Sequence, residues 1–142
     1  MAKQKLAAAS PLASPLVSPV ASPVALDSSC WLEVFDGGKR AKLFEAAASQ
    51  PEKLIVPVIT VYEVFKYLCR VKDVELANRA ALYMQRGQVF DIDSDIALAA
   101  AGNGLPMADS LIYATAQAHA ATVWTQDAHF NGLADVRYFP KP

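Results

Sequence analysis

From residue 24 onward, short apolar runs alternate with segments whose apolar residues recur every three or four positions. Val24-Ala25-Leu26 reads as a strand ending at Asp27, and Ser28 and Ser29 are good caps for a helix carrying Trp31, Leu32 and Phe35. Gly37-Gly38 closes that helix. A second helix is expected over 39–49, stopped by Pro51, and a strand over 54–58. Thr60 then starts a third helix, in which Val61, Val64, Phe65, Leu68 and Cys69 fall at i, i+3, i+4, i+7 and i+8, the stripe of a helix packed on a sheet. A helix over 74–86 stops at Gly87 and leads into a strand over 89–92. Ser94 caps a short Ala-rich helix, Gly102-Asn103-Gly104 breaks it, and a helix over 105–119 precedes a strand over 122–125. Residues 136–139 supply an edge strand. Strands alternating with helices predict an α/β fold with a mostly parallel central sheet, covered by helices on both faces.

Residues 1–23 differ in kind, with prolines at 11, 15, 19 and 23 in a Ser-Pro repeat. That spacing forbids a continuous helix, so 1–23 is expected to be a disordered Ser-Pro-rich extension and 24–142 a single domain. At 142 residues and 54% hydrophobic, the chain has material for one core. No run reaches the ~20 apolar residues that span a bilayer, so a protein without membrane contact is expected. Cys30 and Cys69 have no neighbours at disulfide or zinc spacing, which fits a reducing cytoplasm, and both read as small core residues. His119 and His129 are isolated in sequence and receive no role. A formal charge of -1 does not advertise a nucleic-acid surface, so phosphate contacts would fall to local clusters: Lys39, Arg40 and Lys42, or Lys66, Arg70 and Lys72.

The chemistry lies in four acids. Asp27, Glu63, Asp109 and Asp127 each sit just past a strand-like run or early in a helix, which is where open parallel sheets collect ligands. Singly, each has a structural explanation: Asp27 a helix cap, Glu63 the glutamate of a Thr60-x-x-Glu63 capping box, Asp109 a partner of the helix dipole, Asp127 a turn residue. Together they would repel by up to ~4 kcal/mol per close pair at an effective dielectric of 20, a cost that a divalent cation offsets. Carboxylates are hard ligands suited to Mg²⁺ or Mn²⁺, so the pattern points to a metal-dependent phosphodiesterase. Asp91, Asp93 and Asp95 lie near the same edge and remain further candidates.

The segments Leu26-Asp27-Ser28-Ser29, Pro57-Val58-Ile59-Thr60-Val61-Tyr62-Glu63-Val64, Ala108-Asp109-Ser110-Leu111-Ile112 and Trp124-Thr125-Gln126-Asp127 occur in the order of a PIN domain. Over residues 24 to 141 the chain resembles a VapC-type toxin of a bacterial toxin–antitoxin pair. The resemblance implies a PIN-like three-layer α/β/α fold and a Mg²⁺-dependent endoribonuclease, with Mn²⁺ as a substitute. It further implies an RNA substrate, a cognate antitoxin and a homodimer. Carried over, Asp27 and Asp109 are the principal metal ligands, and Glu63 and Asp127 complete the site directly or through water. Thr125 positions a carboxylate or water, with Ser28 a weaker candidate for the same task. Two departures stand out: the segment between Ser94 and Pro106 is several residues short, and the Ser-Pro arm precedes the first strand. The first of these supports an alternative, a catalytically weak or inactive PIN-like module that binds RNA or protein.

Overall fold

The computed structural model describes residues 22–142. The arm expected over 1–23 lies outside the described residues except for its last two.

Five short strands are all parallel. β1 (Val24–Leu26), β4 (Thr122–Thr125) and β5 (Val136–Tyr138) form one ladder in the order β1-β4-β5, and β2 (Ile55–Pro57) pairs with β3 (Gln88–Phe90). A parallel bridge between Val24 and Leu54 joins the two, giving the continuous order β3-β2-β1-β4-β5 with β5 at the edge. The Pro23 carbonyl accepts Thr122 N at 2.9 Å, so the ladder takes in one residue of the expected arm.

Strand side chains alternate between two cores, the signature of a sheet buried on both faces. Val24, Leu26, Val56 and Trp124 pack with Trp31, Phe44, Val64, Leu68 and Met84, drawn from helices α1 (Ser28–Asp36), α2 (Ala41–Ala48), α3 (Val58–Val71) and α4 (Val74–Met84). Ala25, Ile55 and Val123 face the other way, onto Ile112, Tyr113 and Ala116 of α6 (Met107–Ala118) and onto Phe130. Helix α5 (Ser94–Ala101) leans on α6 through Ile96, Ala100 and Ala114. The α/β/α layering and the parallel sheet are as expected. Gly87 admits β3 beside β2: a Cβ there would stand 2.9 Å from both Leu54 Cβ and Val56 Cγ2.

Local chemistry shifts several boundaries. α3 begins at Val58 behind Pro57, so Thr60 lies in its first turn and not at its cap. The Thr60 hydroxyl is buried without a hydrogen-bond partner, and the expected capping box does not form. Helix α1 is capped by Asp27, which accepts Cys30 N, the cap role weighed for it beside Ser28 and Ser29, and α5 by Asp93, which accepts Ile96 N, where Ser94 was expected. α6 starts at Met107, not 105, because Pro106 drives the residue before it out of helical geometry. The buried line of α3 is Thr60, Val64 and Leu68; Val61 and Phe65 are only half-buried, and Cys69 is exposed, contrary to its expected place in the core. Val58, Val61, Tyr62, Phe65 and Cys69 instead line an open apolar groove of about 710 Å³, which none of the four acids touches.

Candidate metal centre

β1 ends where Asp27 N donates to Trp124 O, at 3.1 Å, and the chain turns directly into α1. Asp27 is thereby buried at the strand end, 3% exposed, and its carboxylate is fully engaged. Oδ1 accepts Ser29 Oγ at 2.6 Å and Cys30 N at 3.2 Å, and Oδ2 accepts the Thr125 hydroxyl. Burial pushes the Asp27 carboxyl above the ordinary carboxylate range, and the hydrogen bonds from Ser29, Thr125 and Cys30 offset part of that rise.

Thr125 ties two acids together. It donates to Asp27 and accepts Asp127 N at 2.8 Å, so one hydroxyl at the end of β4 fixes the approach of both. Behind it, Gln126 is buried between Ser29, Glu33 and Arg40: its N donates to Ser29 Oγ, and its side chain donates to Ser29 O and Glu33 Oε1 while accepting Arg40 Nη1. Arg40 also donates to the carbonyls of Phe139 and Pro140. Its guanidinium therefore holds the C-terminal segment against the sheet, leaving Lys39 and Lys42 as the exposed members of that basic cluster. In the second cluster, Lys66 and Arg70 are exposed, and Lys72 stands 3.8 Å from Asp36.

Glu63 projects from α3 and accepts the Ser28 hydroxyl, a bond across 35 residues that aligns it with the end of β1 rather than with its own helix terminus. Asp109 lies in the first turn of α6. Its pKa is raised to about 6, chiefly by desolvation and then by the charge of Asp127; His129 opposes the rise, and Asp27 and Glu63 add smaller upward contributions. Of the predicted acids, Asp109 and Asp127 are brought together as potential ligands, while Asp27 and Glu63 stand outside that group, near enough for their charges to act on Asp109. Asp91, Asp93 and Asp95 are exposed, with Asp93 occupied as the cap of α5.

The short segment before α6 is pinned. Asn103 donates through Nδ2 to Ser110 O at 3.0 Å and accepts Leu105 N at 3.1 Å, tying the loop to the turn that carries Asp109.

His129 went unassigned in the sequence and belongs here. Asp127 caps the single turn Ala128–Phe130 by accepting His129 N at 2.9 Å, which folds the imidazole back over the acids. Its Nδ1 lies 3.1 Å from Asp109 Oδ2 and 3.0 Å from Asp127 Oδ1. Asp127 chiefly, then Asp109, holds the imidazole above its ordinary pKa range. Among the described residues, Asp109, Asp127 and His129 form a group whose potential ligand atoms all lie within 4.8 Å of one another. The signal in the sequence was the two-residue step from Asp127 to His129, legible only once a tight turn is known to follow β4. Cys30, by contrast, is buried, donates to Trp124 O and has its thiol pKa pushed up by burial and by Asp27, so it is no nucleophile.

Asp27 and Asp127 thus follow the carboxyl ends of the parallel strands β1 and β4, the edge at which open α/β sheets collect ligands. The PIN domain profile matches residues 24–136, and the chain belongs to the PIN domain family. Solved structures share the fold. A toxin–antitoxin complex from Klebsiella pneumoniae aligns with a TM-score of 0.68 at 24% identity, over 80% of this chain and 95% of that one. The sarcin-ricin loop cleaving toxin VapC20 of Mycobacterium tuberculosis gives 0.64 at 17%, over 80% and 98%. DNA-bound VapBC from Salmonella typhimurium gives 0.64 at 16%, over 83% and 97%. No curated protein sequence matches the chain.

Proposed function

We propose that this protein is a divalent-metal-dependent endoribonuclease, the toxin of a toxin–antitoxin pair, which hydrolyses RNA phosphodiester bonds with an activated water. The observation that carries the reading is the grouping of Asp109 and Asp127 beyond the strand ends, with Asp27 and Glu63 near enough for their charges to act on Asp109. The donor set fits the ion, since carboxylate oxygens suit Mg²⁺ and Mn²⁺. Membership of the PIN domain family and a fold shared with the sarcin-ricin loop cleaving toxin of Mycobacterium tuberculosis support the reaction class.

In this reading Asp27 and Asp109 are the principal ligands, with Asp127 and Glu63 completing the site directly or through water. When bound, the ion supplies an acidified water and neutralises charge developing on the phosphate oxygens. The protein's part is orientation. Thr125 holds Asp27 and the Asp127 backbone in one register, and Ser28 holds Glu63 towards the strand end. Burial of Asp27 keeps bulk water from one side of the site.

The partners follow from the same reading: RNA as substrate, a cognate antitoxin that silences it, and a homodimer in the cytoplasm. No helix among the described residues is long and apolar enough to cross a membrane. The non-cutting alternative rests on the short 94–106 segment and the mildly acidic balance; the Asn103 ties to α6 speak against a displaced Asp109, and the cleavage assay decides between the two readings.

The test is incubation of the purified chain with end-labelled RNA in Mg²⁺, Mn²⁺ or EDTA, alongside Asp109→Asn and Asp27→Asn. Cleavage is expected only for the wild type and only with metal. RNA retained but uncut by the wild type in either ion would favour the binding-module reading.

A further inference from the structure

We propose that His129 is itself a ligand of this metal centre, through Nδ1, and that it turns the site's preference from Mg²⁺ towards first-row transition ions. The inference rests on the metal-dependent reading above and specifies which ion that site selects.

The argument begins with distances. Two ligand atoms on adjacent corners of an octahedral ion, each about 2.1 Å from it, stand about 3.0 Å apart. Nδ1 of His129 lies 3.1 Å from Asp109 Oδ2 and 3.0 Å from Asp127 Oδ1, so it meets both carboxylates at that adjacent-corner spacing. The backbone fixes this placement, because Asp127 accepts His129 N and the turn Ala128–Phe130 is anchored by the buried ring of Phe130. The imidazole is 59% exposed, and what holds it in place is its contact with the two carboxylates. An ion entering between these groups would meet two oxygens and one nitrogen on two neighbouring elements.

Chemistry then sets the preference. Mg²⁺ is a hard ion that keeps oxygen ligands and dehydrates reluctantly, whereas mixed N/O sites bind Co²⁺ more tightly than Mn²⁺ along the Irving–Williams order. An imidazole ligand therefore adds little for Mg²⁺, more for Mn²⁺ and most for Co²⁺. A histidine acting only as a positive charge beside two carboxylates would do the reverse, competing with every divalent ion alike.

The experiment is calorimetric titration of the full-length wild type and His129→Ala with MgCl₂, MnCl₂ and CoCl₂ in turn, with His129→Gln as a polar control. The visible absorption of bound Co²⁺ is recorded in parallel. Because His129 is exposed, melting curves of the variants serve as the check on folding. The expected result is a graded loss in His129→Ala: under twofold for Mg²⁺, on the order of tenfold for Mn²⁺ and larger for Co²⁺, with a changed Co²⁺ spectrum. Unchanged or tighter binding of all three ions would overturn the proposal and leave His129 as a counter-charge, with the metal-dependent reading intact. Loss by the same factor for all three would also overturn it. Failure of the wild type to take up any of the ions would sink the metal-dependent reading itself, and this proposal with it.

Discussion

At the scale of single residues, Asp109 carries the tension in the site. Its pKa stands at about 6, above the ordinary 3.8, because burial and the charge of Asp127 both penalise the carboxylate. Between those values the metal-free folded protein keeps a proton that the unfolded chain has released. Stability therefore falls as pH rises from about 4 to about 6, by roughly 1–2 kcal/mol after allowance for partial solvent screening. Asp109→Asn should flatten that slope in denaturant titrations run in EDTA. Glu63 makes a second residue-scale test: because it bonds Ser28 and not its own helix end, Glu63→Gln should abolish cleavage while changing stability by less than about 1 kcal/mol. Retained cleavage with a larger loss of stability would return Glu63 to a structural role. The four acids were legible in sequence because each falls where a strand ends or a helix begins. His129 was not, since its side chain reaches Asp109 across 20 residues through a turn whose geometry no apolar period encodes.

At the scale of elements, the sequence predicted the order and kind of every α-helix and strand among the described residues, missed the short 3-10 turns Pro51–Lys53 and Ala128–Phe130, and erred at boundaries where backbone restrictions outweigh side-chain preference. Pro57 and Pro106 set the starts of α3 and α6, overriding the serine and threonine chemistry that marks caps elsewhere. Thr60, displaced into its helix, leaves a buried hydroxyl unpaired, so Thr60→Val should be neutral or stabilise by about 1 kcal/mol in chemical denaturation. The stripe misread on α3 has a related cause: a period locates an apolar face, yet it does not say whether a neighbour covers its whole width. Asn103 provides the opposite case, a loop residue whose two bonds hold α5 to the turn bearing Asp109. Asn103→Ala should cost about 1–2 kcal/mol and weaken metal binding, measured by denaturation and titration on one preparation. Metal binding unchanged after that loss would show the loop to be irrelevant to the site.

At the scale of the molecule, the sheet divides two cores and at its carboxyl edge brings Asp109 and Asp127 together, with Asp27 tied in through Thr125 and Glu63 through Ser28. Among the described residues the packed clusters close on themselves from residue 24 onward, so deletion of residues 1–21, which spares the Pro23 carbonyl bonded to Thr122, should leave the melting temperature unchanged. The central claim is that the fold gathers like charges in order to hold a cation. A ligand bound by the native state alone stabilises it by ~2.7 kcal/mol at a hundredfold excess over Kd, which is readily seen as a rise in Tm. The most direct measurement is therefore the Tm of the wild type and Asp109→Asn in EDTA and in millimolar Mg²⁺ or Mn²⁺. The account predicts a metal-induced rise in the wild type, most of it lost in Asp109→Asn, and a variant at least as stable as the wild type in EDTA. Equal metal-induced shifts in the two proteins, or a variant less stable than the wild type in EDTA, would contradict it.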